Sequence, residues 1–184
     1  MSKFGKLAGI WFALVAVSVI GRLWQPAYGV TPLAGAAIAA GTAFPSPLVA
    51  ATVPLAALAI SNLVLPGYEA DFGGWALAAV VAAALAWPVV LGRLARGRRG
   101  GLVLAALASS LVFFLATNFA CWWLSDMYPH TPAGLLACYV AGLPFHRWMP
   151  LGDVVWTLAL TEVLARSGLV AGIAPLSSRT AAAA

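Results

Sequence analysis

Charge is what this sequence has least of. Only 8% of its 184 residues are Asp, Glu, Lys or Arg, with ten basic residues and five acidic ones. A soluble domain needs about a quarter of its residues charged to face water, so an aqueous surface is excluded. The hydrophobic share is 63% and the mean hydropathy +0.97, which makes lipid the solvent for which the chain is built. Cysteine is nearly as scarce. Cys121 and Cys138 are too few, and too deeply set in apolar sequence, for a disulfide framework. Catalytic signatures are also missing: there is no GxSxG, Walker A, HExxH or CxxC pattern. The Gly-rich stretch at 96–101 lacks the strand context and spacing of a phosphate loop. An enzyme is therefore not expected, and the one catalytic alternative is a membrane thiol enzyme with an activated cysteine.

The charge that is present is informative. A net charge of +5 and a pI near 9.8 do not indicate nucleic acid, because the basic residues flank apolar runs rather than lining a polar or aromatic surface. They read as topology signals. Lys3 and Lys6 precede an apolar stretch that resembles a signal peptide, but no small-x-small cleavage site follows, so it is read as a retained first helix. The run 180–184 reads as a disordered or added tail.

A bilayer core takes about 20 apolar residues to cross. Five stretches qualify, at about 7–24, 47–66, 73–92, 101–124 and 150–170, while 30–44 is short and rich in Ala and Gly. Parity decides the status of that sixth stretch. Lys3 and Lys6 and the cluster Arg93, Arg96, Arg98 and Arg99 should all be cytoplasmic, which requires an even number of crossings between them. The segment 30–44 is thus expected to span, with Gly35, Ala36, Ala39 and Ala40 at small-xxx-small spacing for close packing. The expected fold is an all-α integral membrane protein, a single domain over 1–179 with six transmembrane helices and both termini cytoplasmic.

This topology puts the other unusual residues on one side. Arg22, Tyr68, Glu69, Asp71, Asp126, His130, His146, Arg147 and Asp153 all fall at the outer face, and of the five acidic residues only Glu162 does not. The connection 125–149 reads as an outer lid, with its apolar middle, 133–143, a short helix or re-entrant piece across the mouth of the bundle. Trp122, Trp123, Tyr128, Tyr139, Trp148 and Trp156 flank that lid, either as an interfacial aromatic belt or as the lining of a ligand pocket.

Each polar residue has a structural reading beside its functional one. Asn118 and Asn62 suit helix–helix hydrogen bonds. Glu162 has Arg166 at i+4, so an ion pair comes before a functional role. Asp153 could cap the last helix or pair with Arg147 or Arg22. Cys121, His130, Cys138 and His146 match no compact metal motif, which leaves no metal site and, at most, axial ligation of a bound cofactor by one of them.

The segments SNLVLPG (61–67), LASSLVFFLATNFACWW (107–123), MYPHTPAGLLACYVAGLPF (127–145) and LGDVVWT (151–157) resemble an uncharacterised family of small bacterial membrane proteins. That family is similar to the substrate-binding S components of energy-coupling factor (ECF) vitamin transporters. The resemblance covers about residues 20–165, and its TNF, MYP, CYVAGLPF and LGD elements are the most specific. In the family pattern an Asp often follows the serine at position 61, where this chain has Asn62. The resemblance implies six helices and an extracytoplasmic pocket that binds a vitamin or its precursor. It also implies a partnership with an ECF transmembrane coupling protein and its ATPase subunits, with Ala8, Ala13, Ala36 and Ala40 as counterparts, by residue type, of the small face that meets the coupling protein.

The expected function is therefore a substrate-binding component for uptake of a vitamin or related small molecule at the bacterial inner membrane. The cofactor would be a bound vitamin ligand rather than an intrinsic group, and cobalamin is one such ligand. The expected ligand-binding residues are Tyr68, Asp71, Asn118, Trp122, Tyr128, His130, Tyr139 and Asp153. The alternative is a structural or cofactor-positioning subunit of a larger membrane complex.

Overall fold

The computed structural model describes residues 2–25, 27, 29–65 and 74–168, and every regular element among them is a helix. In chain order these are α1 (Lys3–Leu23), α2 (Leu33–Ala43), α3 (Pro47–Asn62), α4 (Gly74–Ala86), α5 (Pro88–Leu94), α6 (Arg99–Leu124), α7 (Pro132–His146) and α8 (Met149–Arg166). Three stretches are long and apolar enough to cross a bilayer: Phe4–Leu23, Gly74–Leu94 and Gly100–Leu124. The middle one joins α4 and α5 across Trp87, where Pro88 removes a backbone donor. Helix α8 has the length, at 18 residues, but carries Asp153, Glu162 and Arg166.

Helix α1 starts where the Ser2 hydroxyl accepts from the Gly5 amide at 3.1 Å. Ile10, Leu14, Val15 and Ser18 form its buried stripe, while Phe4, Phe12 and Ile20 stay exposed on the other side. A helix apolar all round, with only one face packed, is suited to lipid. Helix α3 runs parallel to α1. Trp11 Nε1 donates to Thr52 Oγ1 at 2.8 Å in the first half of each, and near their ends Arg22 Nη1 donates to the Ser61 hydroxyl and, at 2.6 Å, to Asn62 Oδ1.

Helix α2 is the centre of the molecule. Every residue from Leu33 to Thr42 is buried. Its 11 residues make about 16 Å of helix, against about 30 Å for a bilayer core. Small side chains explain how it can be enclosed. A methyl group on Gly35 would overlap the backbone of Trp156 and Thr157 in α8, one on Gly41 would meet the Val89 carbonyl, and one on Gly92 of α5 would meet the Ile38 carbonyl. Neighbouring backbones therefore approach α2 as closely as glycine allows.

The C-terminal carbonyls of α2 are satisfied by arginine. Arg93 Nη1 donates to the carbonyls of Phe44 (3.1 Å) and Pro45 (2.9 Å), and Arg96 Nη2 donates to those of Gly41 (3.0 Å) and Phe44 (3.5 Å). Cations at that end also favour the helix dipole. The chain then reverses at Gly97, whose φ of +74° lies in the left-handed region glycine adopts without strain, and α6 begins.

Helices α7 and α8 return along α6. His146, at the end of α7, stacks on Phe114 of α6, and further on Val154 of α8 packs with Ala105 and Ala106 of α6. The segment read as an outer lid is thus a 15-residue helix lying lengthwise against α6, not across the end of the bundle. The apolar run 133–143 has room to continue as one helix because Pro132 occupies its first turn, where a missing donor is harmless.

Candidate functional site

The residues singled out from sequence separate into distinct places. Along the α6–α7 seam, the Cys138 thiol donates to the Asn118 carbonyl at 3.3 Å, and the Asn118 amide donates to the Phe114 carbonyl at 2.8 Å. The Tyr139 hydroxyl donates to the Leu115 carbonyl at 2.9 Å, with its ring 5.6 Å from that of Phe114. His146 completes the seam, stacked on Phe114 at 4.5 Å and 25°. Tyr139 therefore spends its hydroxyl on joining two helices while the Asn118 amide bonds back to its own, and Gly142, packed beneath Asn118 Oδ1, lets α7 come close.

At the turn after α6, Trp122 Nε1 donates to the Pro129 carbonyl at 2.9 Å and closes the α6–α7 connection. Trp123 lies between two rings nearly parallel to its own, Phe119 at 6.3 Å and His130 at 6.0 Å, and Trp122 meets His130 edge-on at 5.6 Å. His130 and Trp123 are exposed and Tyr128 is half-buried. Exposed ring ladders at a helix end suit the bilayer interface.

Asp153 stands elsewhere, on the packed face of α8, 3% exposed. Among the described residues it makes no hydrogen bond and no ion pair, so the pairing with Arg22 or Arg147 expected from sequence does not occur. Arg22 turns instead to α3, and Arg147 lies over Trp148. Thr157, one turn on, is fully buried with its hydroxyl unsatisfied. A buried polar group without a partner costs about 1–3 kcal/mol, so α8 carries a polar stripe that packing alone does not explain. Glu162 and Arg166 form the expected i,i+4 pair at 2.8 Å.

An open, shallow cavity of about 350 Å³ lies beside this stripe, with Leu151 and Val155 more than half exposed on its walls. Ala27 and Val30 of the α1–α2 connection form one wall, and Trp148, Leu151, Gly152, Val155 and Trp156 of α8 form the other. It exists because α7 and α8 are separate helices. The break at Arg147–Trp148 swings α8 against Val30, and Gly29, at φ +79°, lets the opposite strand of chain pass close to the Phe145 carbonyl and Met149. None of the six described residues among those expected from sequence lines this cavity, although Asp153 adjoins Gly152. Tyr68 and Asp71 lie outside the described residues. The sequence signal for it lies in Trp148 and Trp156, for which a pocket lining is one of the two readings given above.

This arrangement of a buried central helix, an α6–α7 seam and a break between α7 and α8 spans nearly the whole chain, as does a family model that matches it. The chain belongs to a family of unknown function (DUF6580), whose model it matches over residues 3–169. No curated protein and no solved structure matches. The family match takes in the cavity, the seam and the aromatic ladder together, and brings no activity with it, so their chemistry rests on the side chains.

Metal chemistry finds no support in those side chains. Among the described residues no three His, Cys, Asp or Glu side chains gather as ligands. Cys121 and Cys138 are neighbours, but Cys138 is buried and engaged with Asn118, while Cys121 faces the Ser125 hydroxyl at 3.9 Å. Nor do Ala36 and Ala40 suit the contact with a coupling protein that the resemblance implied, because both are fully buried. Ala13 is exposed and Ala8 half-buried.

Proposed function

We propose that the chain is a six-crossing protein of the bacterial inner membrane, with both termini cytoplasmic, that binds a small molecule from the outer side for uptake. The observation that carries this reading is the cavity between the α1–α2 connection and the first turns of α8. Pockets for small ligands are typically 300–1,000 Å³, mostly apolar, and placed between helices of a bundle. This one lies at the small end of that range, beside a carboxyl group buried without a partner.

The six-crossing topology is supported by the parallel course of α1 and α3 and by the two arginines that tie the end of α5 to the end of α2. It puts these arginines with Lys6 on the cytoplasmic side and the aromatic ladder at the outer interface. The final crossing is α7 and α8 together, a discontinuous pass of the kind that lines binding sites in transporters. A vitamin of modest size fits the volume, whereas a corrinoid would have to project from it. An ECF coupling protein remains the proposed partner, with contacts on exposed positions such as Ala13 rather than on α2.

The experiment is mass spectrometry of small molecules retained by protein purified in mild detergent, on wild type and on Val155→Trp, which fills the cavity from its exposed side. A molecule retained by wild type and absent from the variant supports uptake binding. If nothing is retained and the protein co-purifies stably with a larger membrane complex, the accessory-subunit reading replaces it. Reporter fusions after Gly97 and after Arg166 test the crossings: both should be active only with a cytoplasmic reporter.

A further inference from the structure

Arg147 occupies the break between α7 and α8. Its guanidinium carbon stands 5.7 Å from the centre of the Trp148 ring, and that ring lines the cavity. The arginine is exposed, and among the described residues its guanidinium makes neither a hydrogen bond nor an ion pair. Charge inside or beside a membrane segment is costly unless it is paired or reaches water, and arginines there commonly serve a ligand. The arginines at the other break in the bundle behave differently, since Arg93 and Arg96 spend their donors on four backbone contacts.

The cavity itself offers almost nothing polar. Its walls are alkyl and indole surface, so a ligand's polar group pushed inside would lose its hydration with no return. A polar end must therefore stay at the open side, and Arg147, over the ring of the lining residue Trp148, is a cation within reach of it. Asp153 follows Gly152 in sequence, but successive helical residues point about 100° apart. It sits on the packed face, 3% exposed, while Leu151 and Val155 on the cavity side are more than half exposed.

We propose that the cavity takes an amphipathic carboxylate, with a flat ring or short chain against Trp148 and Trp156 and a single carboxylate at Arg147. The inference rests on the small-molecule binding reading above and adds the charge and shape of the ligand. Arginine's planar fork pairs with a carboxylate through two parallel hydrogen bonds, and its present stacking on Trp148 holds it at the place where such a group would arrive.

The test uses full-length protein in uncharged detergent and three soluble probes with one ring system: 1-naphthaleneacetate, 1-naphthaleneacetamide and 2-(1-naphthyl)ethylamine. Calorimetric titration should give about tenfold or tighter binding of the acetate than of the amide, and no measurable binding of the amine. Arg147→Gln should bring the acetate down to the level of the amide, Arg147→Lys should recover part of the difference, and Val155→Trp should abolish binding of all three. Equal affinity for the three probes overturns the proposal, as does a preference for the acetate that survives in Arg147→Gln. So does an anionic phospholipid that co-purifies with wild type and is lost from Arg147→Gln, because that assigns the arginine to the bilayer. Acetate preference with no small molecule retained or taken up would end the uptake reading and leave this one standing. A retained cation or neutral molecule that Val155→Trp expels would do the reverse.

Discussion

Gly35 of α2 lies directly against the backbone of α8 at Trp156 and Thr157, with no room for a β-carbon between them. This contact binds the first third of the chain to the last and forms part of the frame around the cavity. Gly35→Val should force the helices apart. Overpacking typically costs about 1–3 kcal/mol, and here the obstacle is backbone, which cannot rotate aside. The variant should unfold at a clearly lower temperature than wild type in detergent. An unchanged midpoint would mean that α2 and α8 do not pack as described.

Arg93 and Arg96 share the Phe44 carbonyl, so their effects should not add. Each substitution to Ala should destabilise by about 1–2 kcal/mol, and the double variant by less than the sum, in a double-mutant cycle. Strict additivity in denaturation midpoints would show that they cap α2 independently or not at all.

Asp153 should be traded between stability and function. Its carboxyl is buried without a partner, so Asp153→Leu should raise the thermal midpoint, by an amount equivalent to about 1–3 kcal/mol. Asp153→Asn, nearly isosteric, should change stability little. If Asp153 shapes the ligand site through α8, both variants lose the retained small molecule. Wild-type retention in both would assign it no part in binding.

The two cysteines should differ sharply toward a maleimide. Cys138 is 3% exposed and bonded to the Asn118 carbonyl, whereas Cys121 is only partly covered. Cys121 should label within the native protein and Cys138 only after denaturation. Rapid native labelling of Cys138 would revive the thiol-enzyme alternative, which needs a reactive thiolate.

Glu162 should matter more than Arg166. The arginine is 64% exposed and the glutamate only 16%, so Arg166→Gln should shift stability by no more than a few tenths of a kcal/mol and Glu162→Gln by about 1 kcal/mol. Loss of ligand retention in this variant, with the fold intact, would instead make Glu162 functional.

Much of this protein was legible in one dimension. Apolar runs of span length, basic residues between them and the i,i+4 spacing of Glu162 and Arg166 are local properties, and the helices Lys3–Leu23, Gly74–Leu94 and Arg99–Leu124 follow from them directly. The small residues of 30–44 likewise announced a helix made for close contact, and α2 is buried along its length. The site was not legible in that way. Asn118, Trp122 and Tyr139 look like ligand residues in sequence, but each meets a backbone carbonyl: Asn118 that of Phe114 in its own helix, Trp122 that of Pro129 in the α6–α7 connection, and Tyr139 that of Leu115 across the seam. Which polar group finds a partner depends on what folding brings opposite it, and no spacing rule encodes that. By itself, the sequence determined the solvent and the long apolar helices. Only the tertiary structure decided that α7 lies along α6, that α8 starts anew after Arg147, and that this break opens a cavity between Val30 and Trp156, because a gap between helices belongs to no single segment of the chain.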